Sequence, residues 1–561
     1  MFSLSNKKSL AVIFAILVLL FGINLLIKKD MFGQRTISAM QVWLSGVSQL
    51  YTQIWFEEGG ALKNNFAQIR TFDSIEMRDL NDREVYTSFL PTCLLLPYAV
   101  AKVFNIHPSL KFIQSFACLY HFLGTLLSAL ITFLLCRELA LSQSKRFFYS
   151  LFTGSFYIFG YLSFGILDFG FYVDTAFLIY YLAFLLTEFE KNPTRRLIYK
   201  APLIFLGIAH EWSFLALSVV SMILELRRKE NRAGVFQVLS LHLLPLALAL
   251  GLYFSYVGLF DKFEHTLHRS MRRTIVNPFT SSVYSNSFAG MWAKYYDHNP
   301  VLIFLTPIVL FWNFVESKVF KENEVYKNLF LLSFGSAFVF TILAFEHSAE
   351  HLFSGFKFFI PLIIFLPFVI DQLADKVPKL KPLIVKIVLF AALFIANFYV
   401  VILIVKSWHP ENKTYSQMES IFAEKNYGFN DIFFSYNIET LMDKYNKDDL
   451  ISREGDIASW DRKESEPFMH LAIKKQIYLI KSPNDILTLL DSRNIRDNAK
   501  VHLIFSKKLC RGFREKMKDR IQDYYNQLFI IDITKDDLDD PNFVDNFACE
   551  QKMFIHSFFA M

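Results

Sequence analysis

Charged residues, cysteines and glycines are all scarce in this chain. Of its 561 residues, 20% are charged and 53% are hydrophobic, and there are 5 Cys and 20 Gly. The net charge of +6 is spread over short loops and forms no basic face, which argues against a nucleic-acid partner. Together with a mean hydropathy of +0.31, these proportions exclude an ordinary soluble domain and indicate a multi-pass membrane protein.

A signal-peptide cleavage site is missing after the first apolar run. That run covers residues 10–27 and is closed by Lys28 and Lys29, with no small-residue motif behind it. The sequence therefore predicts a retained membrane helix with its N-terminus in the cytoplasm.

Apolar runs of membrane-crossing length continue as far as residue 405. They cover residues 89–104, 110–136, 147–167, 171–189, 201–226, 235–260, 301–315, 329–345, 352–370 and 383–405. With the first run they predict a polytopic α-helical membrane domain of about 11 membrane segments over residues 1–406.

Basic loops predict how these segments are oriented. The positive-inside rule places five of them in the cytoplasm, at residues 137–146, 191–200, 227–232, 318–327 and 376–381. This requires that residues 89–104, broken by two prolines, lie at the outer surface without crossing. It also requires that residues 201–226, about 39 Å long as one helix, form a bent or re-entrant pair. In the rival arrangement both runs cross once, and two basic loops lie outside. In the first arrangement residues 28–108 form the first outer loop.

The chain turns polar after Val405. The apolar stretches DIFFSY, KQIYLI, VHLIFS and LFIIDI alternate with helix-like charged stretches such as REKMKDRIQDYYNQ. This alternation predicts a small soluble α/β domain of about 150 residues at 407–561. The parity of crossings places it outside the membrane, as an accessory or substrate-recognition module. Cys510 and Cys549 then either form a disulfide or are unrelated thiols.

Ionisable residues beside apolar segments gather on the predicted outer face. Such residues are costly near lipid and are functional candidates for that reason. They are Glu57 and Glu58 in WFEEGG, Asp168 and Asp174 in LDFGFYVDT, His210 and Glu211 in LGIAHEWSFL, Arg269, Arg272 and Arg273 in HRSMRRT, His347, Glu350 and His351 in FEHSAEH, and Lys357 in SGFKFFIPL.

The order of these elements resembles the GT-C superfamily of membrane glycosyltransferases. The family includes protein O-mannosyltransferases, aminoarabinose transferases of lipid A and oligosaccharyltransferases. The matching elements are WFEEGG, the aromatic–Pro segment YTSFLPTCLLLPYAVAKVF, the Asp of LDFGFYVDT and the late segment EHSAEHLFSGFKFFIPL. A soluble outer domain at the C-terminus is also common in the family. Many members open with Asp-Glu where this chain has Glu57-Glu58, so either glutamate is a candidate for the chemistry.

The resemblance implies transfer of a sugar from a polyprenyl-phosphate-linked donor to a glycan, lipid or protein acceptor. The reaction would take place at the outer face, among membrane lipids, and we expect a bacterial inner membrane. No nucleotide cofactor is needed, because the lipid phosphate is the leaving group. A base that takes the acceptor proton contributes about 10²–10⁴-fold, and cationic groups balance the charge that develops on the phosphate.

The acidic candidates each have a functional and a structural interpretation. Two neighbours cannot share one helix face, so we expect either Glu57 or Glu58 to be the base, with Glu57 favoured. The alternative is a solvated helix end. Asp168 and Asp174 either orient the acceptor or cap the helix that follows.

The remaining outer-face residues also have two interpretations each. His210 and Glu211 either line the cavity or form a structural Glu–His pair. Lys357 is expected to bind the lipid phosphate, and the alternative is that it snorkels to the interface. Arg269 and the two arginines after it contact either the same phosphate or lipid headgroups.

The segment FEHSAEH matches the metal-binding pattern H-x-x-E-H. His347 and His351 would share a helix face and could hold a divalent metal such as Zn²⁺, with Glu350 as general base. Five residues match easily by chance, and apolar helices do not suit a soluble peptidase. Hydrogen bonds from these histidines to the lipid phosphate fit the resemblance better, so no cofactor is required.

Two other functional classes compete with a glycosyltransferase. One is a transporter or flippase, and the other is a non-catalytic envelope assembly protein. Transporters usually show paired, Gly/Pro-broken helices in two corresponding halves. The sequence has no internal repeat, and its acids lie at one side instead of the midplane.

The predicted topology can be checked with reporters fused to the C-terminus. An extracytoplasmic reporter such as alkaline phosphatase is expected to be active, and a cytoplasmic fluorescent reporter is expected to stay dark. The opposite pattern would place residues 407–561 in the cytoplasm and overturn the outer-face assignment.

Overall fold

The computed structural model describes most of the membrane part of the chain. The described residues are 4–33, 40–69, 85–160, 163–228, 234–264, 300–345 and 355–376, five strands beyond residue 431, and short pieces at 266, 291–292, 348, 388–393, 395, 399 and 402. The chain divides into two compact units. The helical unit comprises Met1–Phe32, Thr87–Pro97 and Lys111–Trp408, and the loop unit comprises Gly33–Tyr86, Tyr98–Leu110 and His409–Met561.

The described helices account for most of the predicted apolar runs. In chain order they are α1 (Leu4–Ile27), α2 (Met40–Glu57), α3 (Thr92–Phe104), α4 (Leu110–Glu138), α5 (Gln143–Phe159), α6 (Val173–Leu186), α7 (Pro193–His210), α8 (Ser213–Arg227), α9 (Val235–Gly258), α10 (Pro300–Phe311), α11 (Lys318–Glu322), α12 (Glu324–Leu343) and α13 (Phe356–Asp375). Single 3₁₀ or π turns lie at Lys29–Met31, Ser163–Leu167, Thr187–Phe189 and Trp312–Glu316.

Membrane-crossing helices are present, as the composition predicts. Within the described residues, α1, α4, α9, α12 and α13 are long and apolar enough to cross a bilayer. Shorter apolar helices cover Thr92–Phe104, Thr175–Phe189 and Phe304–Glu316. The polytopic helical class is confirmed, while the count of about 11 segments stays a prediction.

Helix α13 lies at the centre of the helical unit. It is the most buried of the five long helices, and it packs against α5, α10 and α12. Pro367 lacks an N–H, so the Ile363 carbonyl one turn earlier has no partner within the helix. Thr153 on α5 donates its hydroxyl to that carbonyl at 3.1 Å. The proline therefore creates a specific bond between two neighbouring helices.

The long run at residues 201–226 is broken, as the basic loops predict. Helix α7 ends at His210 and α8 begins at Ser213. The two helices pack as an antiparallel hairpin, since Arg196 near the start of α7 donates to both Glu225 oxygens near the end of α8, at 2.9 and 3.0 Å. The bent-pair prediction is confirmed, and the rival single crossing is wrong for this run.

The open end of this hairpin holds a buried ionic network. Lys200 donates to Glu188 at 2.6 Å, to Glu225 at 2.7 Å and to the Ser221 hydroxyl at 3.0 Å. The lysine is 1% exposed. Because all three ammonium protons are used, the charge is compensated inside the helices.

The loop unit contains the segment that carries WFEEGG. Helix α2 precedes a short antiparallel pair of strands, β1 (Gln68–Ile69) and β2 (Val85–Tyr86). Trp55 is fully buried, and its indole N–H donates to the Ala67 carbonyl at 2.7 Å. Its ring meets Tyr98 of α3 edge-on at 5.6 Å. These contacts fix the end of α2.

A mixed five-stranded sheet also belongs to the loop unit. Its strands are β3 (Ile432–Tyr436), β4 (Ile477–Ile480), β5 (Val501–Ser506), β6 (Ile521–Tyr524) and β7 (Leu528–Ile533), in the order β4-β3-β5-β7-β6. The strands β4, β3 and β5 run parallel, and β7 and β6 are antiparallel additions.

Each of the four predicted apolar stretches contains one strand of this sheet. The prediction that REKMKDRIQDYYNQ is helical is wrong in the second half of that stretch. Ile521–Tyr524 forms β6 and pairs with β7, which follows three residues later in the sequence. A nearby strand partner overrides the weak helical propensity of a short charged stretch. The extent of the domain, residues 407–561, stays a prediction.

The packing of the hairpin is tested by glycine substitution. A Cβ at Gly207 of α7 would lie 2.3 Å from the Phe214 ring of α8, whereas a Cβ at Gly251 of α9 would meet nothing within 4 Å. We expect Gly207→Ala to cost about 1–3 kcal/mol of stability through overpacking. The matched control Gly251→Ala should be neutral or stabilise by about 0.5–1 kcal/mol. Thermal unfolding midpoints in detergent give the comparison, and equal midpoints would contradict the hairpin geometry.

Candidate functional site

Glu57 ends helix α2 and forms a hydrogen-bonded pair with a histidine. The Gln53 amide, one turn earlier, donates to Glu57 Oε1 at 2.8 Å. His107 Nε2 lies 2.8 Å from the same oxygen. The side chains of Glu57 and His107 are 29% and 52% exposed, so this carboxylate–imidazole pair is open to solvent. Such a pair can accept a proton and pass it on.

His107 is not among the residues predicted from the sequence. It lies in NIHPS, between the aromatic–Pro segment and the run at 110–136. The signal that could have identified it is its place inside the predicted first outer loop, directly before a proline that restricts its backbone. The Phe56 ring meets the imidazole edge-on at 5.9 Å, and Lys102 Nζ lies 5.4 Å from the Phe56 ring centre. The Phe56 ring therefore contacts both a cation and the imidazole of the pair.

Two glycines turn the chain away directly after the carboxylates. Gly59 and Gly60 have φ of +90° and +103°, a region that other residues rarely adopt. Glu58 lies in this turn, and its carbonyl accepts from the Asn64 amide at 3.1 Å. The structure thus separates the neighbours, with Glu57 in the helix and Glu58 in the turn.

Asp168 lies in the helical unit and is fully buried. It accepts from the Asn24 amide at 2.7 Å and from His121 Nδ1 at 2.7 Å. It also forms an ion pair with Lys28. Burial alone would raise the pKa of this carboxyl, but His121 and Lys28 outweigh it and hold the pKa well below its usual value.

The capping alternative is wrong for Asp168 and stays untested for the Asp174 side chain. The N-cap of α6 is Tyr172, and Asp168 ties the end of α1 to α4 instead. Asp174 lies in the first turn of α6, and its side chain is outside the described residues. The partners Lys28 and His121 were missed as well, because nothing local in the sequence links them to Asp168.

Glu211 and Lys357 form a second buried ion pair in the helical unit. Lys357 Nζ lies 3.6 Å from Glu211 Oε1, and the residues are 5% and 1% exposed. Lys357 Nζ also lies 3.6 Å from the Phe340 ring centre, which suits a cation–π contact. Snorkelling is therefore the wrong interpretation of Lys357, since its ammonium is held among helices.

His210 does not pair with Glu211. Its Nδ1 lies 2.8 Å from the Leu206 carbonyl, and its ring packs on Tyr180 with centres 4.4 Å apart. The structural Glu–His alternative is wrong, because the helix ends between the two residues and directs their side chains apart.

The aromatic–Pro segment is fastened to the turn that carries Glu211. The Trp212 indole donates to the Ser88 carbonyl at 3.0 Å. The Thr92 hydroxyl at the start of α3 donates to the Ala209 carbonyl at 2.9 Å. The turn between α7 and α8 is thus held from both sides, which limits the motion of Glu211.

Several predicted site residues lie outside the described residues. They are Arg269, Arg272, Arg273, His347, Glu350, His351, Cys510 and Cys549. Within the described part of the chain, no group of three or more His, Cys, Asp or Glu side chains is arranged to hold a metal ion. The metal and disulfide predictions therefore stay predictions.

Comparison with known proteins identifies the fold. No protein-family model and no curated protein sequence matches the chain. Among solved structures, ArnT from Cupriavidus metallidurans bound to undecaprenyl phosphate aligns with a TM-score of 0.56 at 10% identity, over 93% of this chain and 97% of that one. The archaeal oligosaccharyltransferase AglB from Archaeoglobus fulgidus, in complex with an inhibitory peptide and a dolichol-phosphate, aligns with a TM-score of 0.51 at 10% identity, over 92% and 71%.

The likeness to these two structures covers most of this chain. At 10% identity it shows the fold alone. The fold is shared with ArnT and AglB, so the resemblance read from the order of the motifs is confirmed at the level of the fold. Individual residue roles do not follow from it.

The buried Asp168 cluster makes a testable prediction about its role. Asp168→Asn would leave Lys28 buried without its counter-ion, and we expect a loss of about 3–5 kcal/mol in stability. Adding Lys28→Met removes the stranded charge and should recover much of that loss. Thermal unfolding of the two variants in detergent checks this. Unchanged stability of Asp168→Asn with loss of sugar transfer would instead favour the predicted acceptor-orienting role.

Proposed function

We propose that this chain is a membrane glycosyltransferase that transfers a sugar from a polyprenyl-phosphate-linked donor. One observation carries the proposal: the fold is shared with two enzymes whose structures hold a polyprenyl phosphate, undecaprenyl phosphate in ArnT and dolichol-phosphate in AglB. The acceptor is a glycan, a lipid or a protein. The chain also has buried and exposed carboxylates, and the reaction needs a carboxylate as its general base, which supports the proposal.

Glu57 is the proposed general base. The acceptor oxygen attacks the anomeric carbon of the sugar, and Glu57 takes the proton of the acceptor hydroxyl. The bond between that carbon and the phosphate oxygen breaks, and its electron pair leaves with the polyprenyl phosphate. Glu57 is favoured over Glu58 because Gln53 and His107 orient its carboxylate while leaving it accessible.

Lys357 is the proposed cation for the leaving phosphate. It lies in the first turn of α13, and its ammonium is desolvated, which strengthens its interaction with an anion. Arg269 and its two neighbouring arginines are proposed to contact the same phosphate or lipid headgroups. Asp174 and His210 remain candidates for contacts with the acceptor.

The proposed location follows from the basic loops. The protein would cross a bacterial inner membrane with about 11 segments over residues 1–406, with its N-terminus in the cytoplasm. The α/β domain at 407–561 would lie outside and contribute to acceptor recognition. The transfer needs no nucleotide, because the donor carries its own leaving group. His347 and His351 are proposed to donate hydrogen bonds to the lipid phosphate, and the alternative is that they bind a divalent metal.

The base assignment is tested by neutral, nearly isosteric variants. With a panel of polyprenyl-phosphate sugars in proteoliposomes, Glu57→Gln should slow release of polyprenyl phosphate by about 10²–10⁴-fold, because the acceptor proton then has no base. Glu58→Gln should have a much smaller effect. The matched control is Glu322→Gln on α11, where the carboxylate is exposed. Wild-type rates from Glu57→Gln would refute this role for Glu57.

A further inference from the structure

His107 contacts Glu57 through one ring nitrogen and is open to solvent. Its Nε2 lies 2.8 Å from Glu57 Oε1. Within the described part of the chain its Nδ1 makes no hydrogen bond, and 52% of the side chain is exposed. An ionised carboxylate has no proton to donate, so the hydrogen between the two atoms is the one on Nε2. Nδ1 is therefore the nitrogen that gains or loses a proton when the pH of the medium changes.

A short linker with its own hydrogen bonds holds His107 beside the end of α2. The linker joins α3 to α4 over residues 105–109. The Ile106 N–H donates to the Ala101 carbonyl at 2.9 Å, and the Ser109 N–H donates to the His107 carbonyl at 2.8 Å. The position of the imidazole is thus supported by backbone bonds in which the imidazole takes no part, so it does not depend on the charge of the ring.

A proton gained by His107 changes the charge that Glu57 faces without changing the hydrogen bond between them. Neutral and charged imidazole can both donate from Nε2, so the carboxylate keeps its orientation in either state. In the charged state the two side chains form an ion pair across 2.8 Å, and a carboxylate beside a cation takes up a proton less readily. General-base catalysis depends on that uptake, so Glu57 is a weaker base when His107 is charged.

We propose that His107 is a positioning residue that orients Glu57 in both charge states and weakens it as a base when the surrounding medium turns acidic. The inference rests on the proposed function for the role of Glu57. Within the described residues, the charged groups that face His107 are Glu57 from α2 and, across the Phe56 ring, Lys102 from α3. Of these three types of side chain, only histidine ordinarily changes its charge between about pH 5 and 8.

The test is the pH dependence of sugar transfer in proteoliposomes, with a panel of polyprenyl-phosphate sugars, between about pH 5.5 and 8. The wild-type kcat should fall about two- to fivefold towards the acidic end, the range expected of an exposed ion pair. His107→Gln should keep the alkaline rate and lose this fall, because its amide can donate to the carboxylate but carries no charge. Lys102→Gln, at the neighbouring exposed cation, is the matched control and should retain the fall.

Two further variants separate orientation from charge. His107→Ala removes the contact, so it should lower kcat by about tenfold at every pH with little change in KM. His107→Lys carries a positive charge throughout this pH range, so it should hold the rate at the acidic level of the wild-type chain. Thermal unfolding midpoints in detergent check that each variant is folded. Wild-type rates in His107→Ala, or a fall that persists in His107→Gln, overturn the inference.

The failure of this inference differs from the failure of the proposed function. If transfer requires Glu57 but its pH dependence persists in His107→Gln, the proposed function stands and the role of His107 is refuted. If the wild-type chain consumes no donor at any pH, both are refuted.

Discussion

A charge taken out of water must meet an opposite charge or several hydrogen bonds, and the helical unit depends on this requirement. In the described part of the chain, Lys28, Lys200 and Lys357 are buried. Each meets a carboxylate from another segment. Because removing one partner strands the other charge, these pairs fix which helices lie side by side.

The surroundings of the three lysines differ. Lys200 donates to three acceptors and Lys28 is hydrogen-bonded to Asp168, which suits fixed links between helices. The Lys357 ammonium lies 3.6 Å from Glu211 Oε1 and 3.6 Å from the centre of the Phe340 ring. Glu57 differs from all of these, since its carboxylate is open to solvent and lies within hydrogen-bond distance of Gln53 and His107. An accessible carboxylate of this kind can act as a general base.

Much of the fold could be predicted because its signals are local. Hydropathy identified the long helices, and the basic loops identified the break before Ser213. The assignment of Ile521–Tyr524 was wrong, since the neighbouring strand and not the local sequence decides its state. The site was predicted in part: Glu57, Glu211 and Lys357 were found as isolated residues, without their partners.

The sequence by itself determined the membrane class, the positions of the helices and the residue types available near one face. These follow from composition and periodicity, which act over a few turns of helix. Only the tertiary structure decided which charge meets which. Lys28 and Asp168 are 140 residues apart, and Glu57 and His107 are 50 apart. Such pairs depend on how distant segments pack, because an ion pair needs contact within a few ångströms and no local pattern encodes that distance.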